Sequence, residues 1–364
     1  MRSLVPIFVL LAGGAASSVA ATDAGLRDPE FARVPFAEWR SGAGQTRMGW
    51  SVELTPAVLS VHQRMLLRAV IHIQGHKTEP GRLILFIEYL DAAGHVWQQH
   101  VPIDPARPGP EPQAGFERGS AAINHYAFLL PGDYSIAFGL WDSASGKHAL
   151  IVRKAHIAAI NRDPLPNAWA GLPSVEFITA GDIGSHDVWF LPGVAGVLNL
   201  PVTTRRPVHV EVLLNATPSK RSAGVMMALR ENMSLLIPAV KAFSGLRLSD
   251  GAVDVSMLDL TRRRTVFSQL DVRALDWGRL QRFFAENNPG LVDVQSLAAE
   301  GKMRGYFLGE IERRMMVSDG QAHVVVVLSG PALMDHQEPW EHAPPALDAD
   351  HRLIYIRYRS DPAL

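Results

Sequence analysis

Val208-His209-Val210-Glu211-Val212-Leu213-Leu214-Asn215-Ala216-Thr217-Pro218-Ser219 is the stretch on which the reading of this chain turns. From Val208 to Leu214 it is apolar-rich and interrupted by Glu211, the pattern of a strand covered on both faces. It then stops in small polar residues, at the place where an open α/β sheet puts its ligands. Downstream, Met226, Leu229, Met233, Leu236, Ile237 and Val240 recur at spacings of three and four. That period predicts an amphipathic helix, kinked at Pro238 and ended near Gly245. Val253–Leu260 and Thr265–Leu270 predict two strands around Thr261-Arg262-Arg263-Arg264. Asp276 can cap a helix to Asn287, Ser296–Met316 reads as a longer helix, and Ala322–Leu328 is a strand with Val324 to Val327 in succession. Leu353–Tyr358 is the last strand. Strands alternating with helices predict an α/β layer with right-handed crossovers. Gly301, Gly305 and Gly309 share one face of the long helix, which is expected to pack closely on a neighbour there.

Upstream of that stretch the composition changes. Six of the eight tryptophans lie before residue 200, whereas eight of the eleven methionines lie after residue 225. Aromatic side chains suit pleated surfaces and methionine suits helices, so a β-rich part precedes a helix-containing one. Met65–Ile73, Leu83–Leu90, His95–Val101, Tyr126–Leu130, Tyr134–Trp141 and His148–Ile157 read as strands. Turns at Asp91-Ala92-Ala93-Gly94, Pro131-Gly132-Asp133 and Ser143–Gly146 separate them. Short strands at regular spacing predict an antiparallel β-sandwich. Pro102–Gly115 carries five prolines and is expected to be a long exposed loop. The predicted organisation is a β-sandwich over 45–160, a Pro-rich linker with short strands (Val175–Thr179, Val188–Leu191) over 161–206, and an α/β domain over 207–360.

Residues 1–20 read as a signal peptide: Arg2, the apolar run Leu4–Leu11, and the small-x-small ending Ser18-Val19-Ala20. The expected location is therefore secreted or periplasmic in a bacterium, with no transmembrane helix after cleavage. The full chain has 364 residues, 47% of them apolar and 20% charged, and a formal net charge of −1. Near-neutral charge gives no electrostatic case for nucleic acid. With no cysteine, disulfides, thiolate nucleophiles and cysteine-ligated zinc are excluded.

The segment Asn215-Ala216-Thr217-Pro218-Ser219, between a buried strand and a helix, resembles the ion site of the von Willebrand factor A family. The order of strand, helix, β-hairpin, helices, strand and final strand is similar too, over roughly residues 205–360. The ending His351–Arg359, preceded here by a β-rich part, looks like that of bacterial secreted proteins called VWFA-related. The resemblance implies a doubly wound α/β domain and a metal-ion-dependent adhesion site built on Asp-x-Ser-x-Ser. Here the match departs from the family. Asn215 replaces the first aspartate and Ser329-Gly330 replaces Asp-Gly, while Thr217 and Ser219 keep their hydroxyls. Asn287–Ser296 supplies no clear metal-binding threonine, although Asp293 could offer an oxygen. Mg²⁺, the ion of the intact motif, favours carboxylate oxygens, so the resemblance implies a degenerate and metal-free site, with no cofactor. Asn215, Thr217, Ser219 and Ser329 become the candidate ligand-binding positions, and a protein or cell-envelope polymer the candidate partner.

Other clusters keep two readings each. His336-Gln337-Glu338-Pro339-Trp340-Glu341-His342 lacks the His-Glu-x-x-His spacing of zinc sites and reads as a solvated loop. Arg262-Arg263-Arg264 could grip an anion or simply tip a hairpin. The tryptophans of the β part could stack sugars or pack a core. No Gly-x-Ser-x-Gly, Walker loop or dinucleotide fingerprint occurs, and no catalytic residue is assigned. The alternative to a binding module is a carbohydrate-active or hydrolytic envelope protein with its site on the sandwich.

Overall fold

A computed structural model describes residues 25–60, 62–74, 83–103, 120–178, 196–217, 236–272, 275–276, 278–280, 282, 303–330 and 349–357. The expected signal peptide over residues 1–20, most of the Pro-rich loop, Val188–Leu191, Ser219, Asp293, Gly301 and the cluster His336–His342 lie outside these residues.

The first half is built from antiparallel strands. Strands β1 (Trp50–Leu54), β2 (Val58–Leu59), β3 (Met65–Gln74), β6 (Ser120–Leu129) and β9 (Val175–Phe177) form one sheet in the order β1-β3-β6-β9, with β2 also on β3. Strands β4 (Leu83–Asp91), β5 (Val96–Ile103), β7 (Gly132–Asp142) and β8 (His148–Ile157) form another, in the order β5-β4-β7-β8. Alternation turns Leu67, Ala69, Ile71 and Ile73 of β3 toward Leu85, Ile87, Ile136, Phe138 and Leu140 of the facing sheet, and these close one core. β9, expected in the linker, completes the first sheet beside β6 instead, with Val175 and Phe177 in the same core.

The run Leu83–Leu90 does not alternate because its sheet is buried on both faces. A 3-10 turn, Pro29–Arg33, and helix α1 (Phe36–Arg40) lay Phe31, Phe36 and Trp39 over Phe86 and Ala137 on the outer face. Gly139 makes room for them: a Cβ there would stand 2.8 Å from the Phe36 ring. Beneath this cover Glu88 is buried, held by Arg40 at 2.7 Å and by the Gln98 amide at 2.7 Å. The β unit thus begins upstream of the expected residue 45.

The second half centres on a mixed sheet ordered β14-β13-β11-β15-β16. Its strands are β11 (Val208–Asn215), β13 (Gly251–Asp259), β14 (Arg264–Gln269), β15 (Ala322–Ser329) and β16 (His351–Arg357). β11 pairs in parallel with β13 and β15, β15 pairs in parallel with β16, and β14 returns antiparallel to β13. Residues 236–243, here α2, are helical and bury Leu236, Ile237, Ala239 and Val240 against Val212, Leu214, Val255 and Met257. Helix α3 (Met303–Met315) buries Phe307, Ile311 and Met315 against Leu213, Leu258, Val325 and Val327 on the other face. Both faces of β11 and β15 are therefore apolar, which explains the unbroken valine run. Arg314 of α3 is the polar exception, buried between Glu211 and Glu310.

Pro238 lies within α2, and the residues before 236, where the expected helix begins, fall outside those described. β12 (Leu246–Leu248), which follows α2, pairs in parallel with β10 (Leu200–Val202) upstream of it. Gly245 permits this: a Cβ on it would meet the Leu198 carbonyl at 2.4 Å. The glycine face of α3 differs from expectation. Added methyl groups at Gly305 and Gly309 would meet nothing within 4 Å among the described residues, so no described neighbour needs their thinness. No helix among the described residues is long and apolar enough to cross a membrane.

Candidate functional site

The carboxyl ends of β11 and β15 lie side by side because the two strands run parallel and in register. Asn215 is the cross-strand partner of Ser329. Its Nδ2 donates to Ser329 Oγ at 3.0 Å, and that hydroxyl donates to the Gly330 carbonyl at 2.7 Å. Asn215 Oδ1 accepts the Thr217 N–H at 3.0 Å, which bends the chain sharply out of the strand. Thr217 Oγ1 accepts the Leu260 N–H at 2.7 Å, and Ala216 N–H reaches the Leu258 carbonyl at 2.9 Å, both at the end of β13. Three of the four candidate positions, Asn215, Thr217 and Ser329, are thus brought to one place, while Ser219 falls outside the described residues. Asn215 and Ser329 are buried and Thr217 is half-buried.

A fourth participant escaped the sequence reading. Asp259 closes β13 with its carboxylate fully buried. Oδ1 accepts the Arg262 N–H at 3.1 Å, and Oδ2 has no hydrogen bond, with Arg262 Nη1 3.9 Å away. The available signal was an aspartate inside the apolar run Val253–Leu260. Arg262 therefore turns inward from the hairpin tip to face an anion of the same turn.

This donor set does not fit a hard divalent cation. The nearby carboxylate already faces a guanidinium. The Asn215 amide points its protons at the Ser329 hydroxyl that would have to coordinate. Replacing carboxylates by an amide and hydroxyls leaves too little charge to offset dehydration of Mg²⁺. The arrangement joins β11, β13 and β15 at the sheet end and fixes the loops that leave it.

Histidines that lacked evident partners in the sequence acquire them from the fold. His209 Nε2 lies 2.9 Å from Asp254 Oδ2 and His323 Nε2 lies 2.8 Å from Asp319 Oδ1, at the opposite end of the sheet. The hydrogen bond that the His209 ring donates to Asp254 raises that ring above its ordinary value, against the opposing effect of burial. In the sandwich, His95 pairs with Asp91 and His100 with Asp28. Trp39 and Trp97 are buried, Trp50 and Trp141 are half-buried in packed clusters, and half-buried Trp169 donates its indole N–H to the Gln63 carbonyl at 2.8 Å. Core packing accounts for the described tryptophans of this part except Trp169, which ties two loops together.

No family model matches the chain, and no curated protein matches it. Among solved structures, the C-terminal domain of wzt is 12% identical over 34% of this chain and 86% of that one, with a TM-score of 0.20. A β-glucuronidase of Bacteroides uniformis is 7% identical over 77% of this chain and 33% of that one, also with a TM-score of 0.20. Likenesses of this size carry no argument about fold or activity.

Proposed function

We propose that the chain is an exported binding protein. In this reading residues 207–360 form a doubly wound, von Willebrand A-like domain whose ion site has lost its metal. The ligand is a protein or a cell-envelope polymer, engaged at the carboxyl end of the second sheet. The reading draws support from the strand order β14-β13-β11-β15-β16 with an antiparallel edge, and from helices on both sheet faces. Export draws support from the signal-like residues Arg2 to Ala20.

The observation that carries the proposal is the closed polar knot at the ends of β11 and β15. An adhesion site of the intact kind would point oxygens outward to an ion that the ligand completes. Here Asn215, Thr217 and Ser329 spend hydrogen bonds on one another and on the backbone. They act as positioning residues that hold the strand-end loops, and those loops form the recognition surface.

Calorimetry with Mg²⁺ and Mn²⁺ tests the metal-free reading, with no binding expected at micromolar ion. Micromolar affinity that disappears in Thr217→Ala would overturn it. Capture of partners from the envelope fraction by the tagged protein tests the binding role. The same partners are expected with and without chelator, and chelator-sensitive capture would refute the metal-free form of the proposal.

A further inference from the structure

At the end of the second sheet remote from Asn215, three histidines stand in one row. His209 of β11, His323 of β15 and His351 of β16 are successive cross-strand partners. They share the sheet face that α3 covers, because Leu213, Val325 and Val327, which pack under α3, lie an even number of residues along the same strands. The His209 and His323 rings meet edge to face with centroids 5.3 Å apart, and His323 stacks on His351 at 5.6 Å. Each ring presents Nε2 to an acceptor: Asp254 Oδ2 at 2.9 Å for His209, Asp319 Oδ1 at 2.8 Å for His323, and the Val317 carbonyl at 2.8 Å for His351. Nε2 therefore carries the proton in each neutral ring, and a further proton adds at Nδ1.

Two of these acceptors, Val317 and Asp319, belong to the segment 316–321 that links α3 to β15 and carries the exposed Met316 and Val317. The row thus fastens that segment twice, once through a neutral carbonyl and once through a carboxylate. The other charges on the elements around the row are paired with one another. Glu211 of β11 and Glu310 of α3 both hold Arg314, and Arg206 holds Asp350 ahead of β16. Asp254 of β13 also accepts the Asp271 N–H at 2.9 Å, and Asp319 accepts the Gln321 N–H at 3.0 Å. The His323 hydrogen bond holds the Asp319 carboxyl below the usual carboxylate range. Burial works against that at Asp254, but the His209 and Asp271 hydrogen bonds outweigh it. Both groups are therefore anions from about pH 5 to pH 8.

A proton taken up by either ring turns its hydrogen bond into an ion pair, which is the stronger contact. The 5.3 Å spacing sets the two cations against each other, so the protons load in succession. We propose that His209 and His323 form a proton-operated latch: mild acidification locks the segment 316–321 onto the sheet through Asp319, and deprotonation loosens it while His351 keeps its hold on Val317. The ion pair needs a charged ring, so the latch is closed at low pH and released as pH rises. His209 has the same sign. Its hydrogen bond to Asp254, against burial, raises the ring above 6.5, so its contribution is full below that value and is lost as pH rises through the raised one. Met316 and Val317 are the apolar groups whose presentation the latch controls. The device rests on no part of the sheet-end reading above.

Hydrogen exchange of the full chain, read by mass spectrometry at pH 5.5 and pH 7.5 and corrected for intrinsic rates, tests the latch. Protection of a peptide covering 316–323 should be about threefold or more greater at pH 5.5, and a peptide covering 253–259 of β13 should show no such rise. Asp319→Asn keeps an acceptor oxygen for the His323 ring and the Gln321 N–H and removes the charge, at an exposed position. The variant should match the parent at pH 7.5 and lack the gain at pH 5.5, whereas a merely structural role for Asp319 would change both pH values alike. The proposal is overturned if protection of 316–323 does not rise on acidification, if β13 shares the rise equally, or if Asp319→Asn keeps all of it.

Discussion

His125 makes the sandwich acid-sensitive from the inside. It is buried in β6, with its ring 6.0 Å from Tyr89 and 5.7 Å from Phe177, and its Nε2 has no hydrogen-bond partner. Burial alone lowers the ring from 6.5 to about 4. The neutral form is thus favoured by folding, so no penalty exists at pH 7, and stability is lost as pH falls from the unfolded value through the folded one. From those two values the loss between pH 7 and pH 4.5 is about 2 kcal/mol, since each unit is worth about 1.4 kcal/mol. His125→Leu has similar volume and no titratable group. Urea denaturation of parent and variant at both pH values isolates the effect, because the lowered carboxylates and His62 are common to both proteins. The parent should lose about 2 kcal/mol more than the variant on acidification. At pH 7 the variant should match or exceed the parent, as an orphaned polar atom is removed from the core. Parallel losses in the two proteins would refute the reasoning.

Three further outcomes are expected. Gly305→Ala with Gly309→Ala should raise stability by about 1–2 kcal/mol in chemical denaturation, since alanine meets no neighbour there and helix interiors disfavour glycine. Arg314→Met should cost about 3–5 kcal/mol by leaving Glu211 without its buried cation, while Glu310 keeps Arg313, and adding Glu211→Met should recover part of that loss. Asn215→Asp removes the donor to Ser329 and buries a charge, so the melting temperature should fall by an amount reflecting about 1–3 kcal/mol. Added Mg²⁺ should not restore it, and a Mg²⁺-dependent recovery would contradict the metal-free site.

Local pattern carried much of the fold. The apolar run Met65–Ile73 and the alternation in Tyr134–Trp141 marked strands, and the turns between hairpins were visible from Gly94, Gly132 and Gly146. Non-alternating runs were harder. Leu83–Leu90 showed that both sides of β4 are covered but not by what, because the cover comes from Phe31, Phe36 and Trp39, about fifty residues upstream. The three-residue strand β9 was legible as a strand yet not as part of the sandwich, since three residues cannot state which edge they join. The glycine face of α3 misled because spacing fixes which residues share a face but not whether anything stands opposite.

The sequence by itself determined the described element types, the division between β-rich and helix-containing halves and the exclusion of thiol chemistry. These follow from composition and from periods of two and 3.6, which act over a few residues. Only the tertiary structure decided which partners meet. Asn215 and Ser329 are 114 positions apart and bond because two parallel strands share a register. Asp259 faces Arg262 at a strand end, and Arg64 pairs with Glu176 of β9, 112 positions away. Burial sets what each of these groups is worth, and burial belongs to the assembled chain.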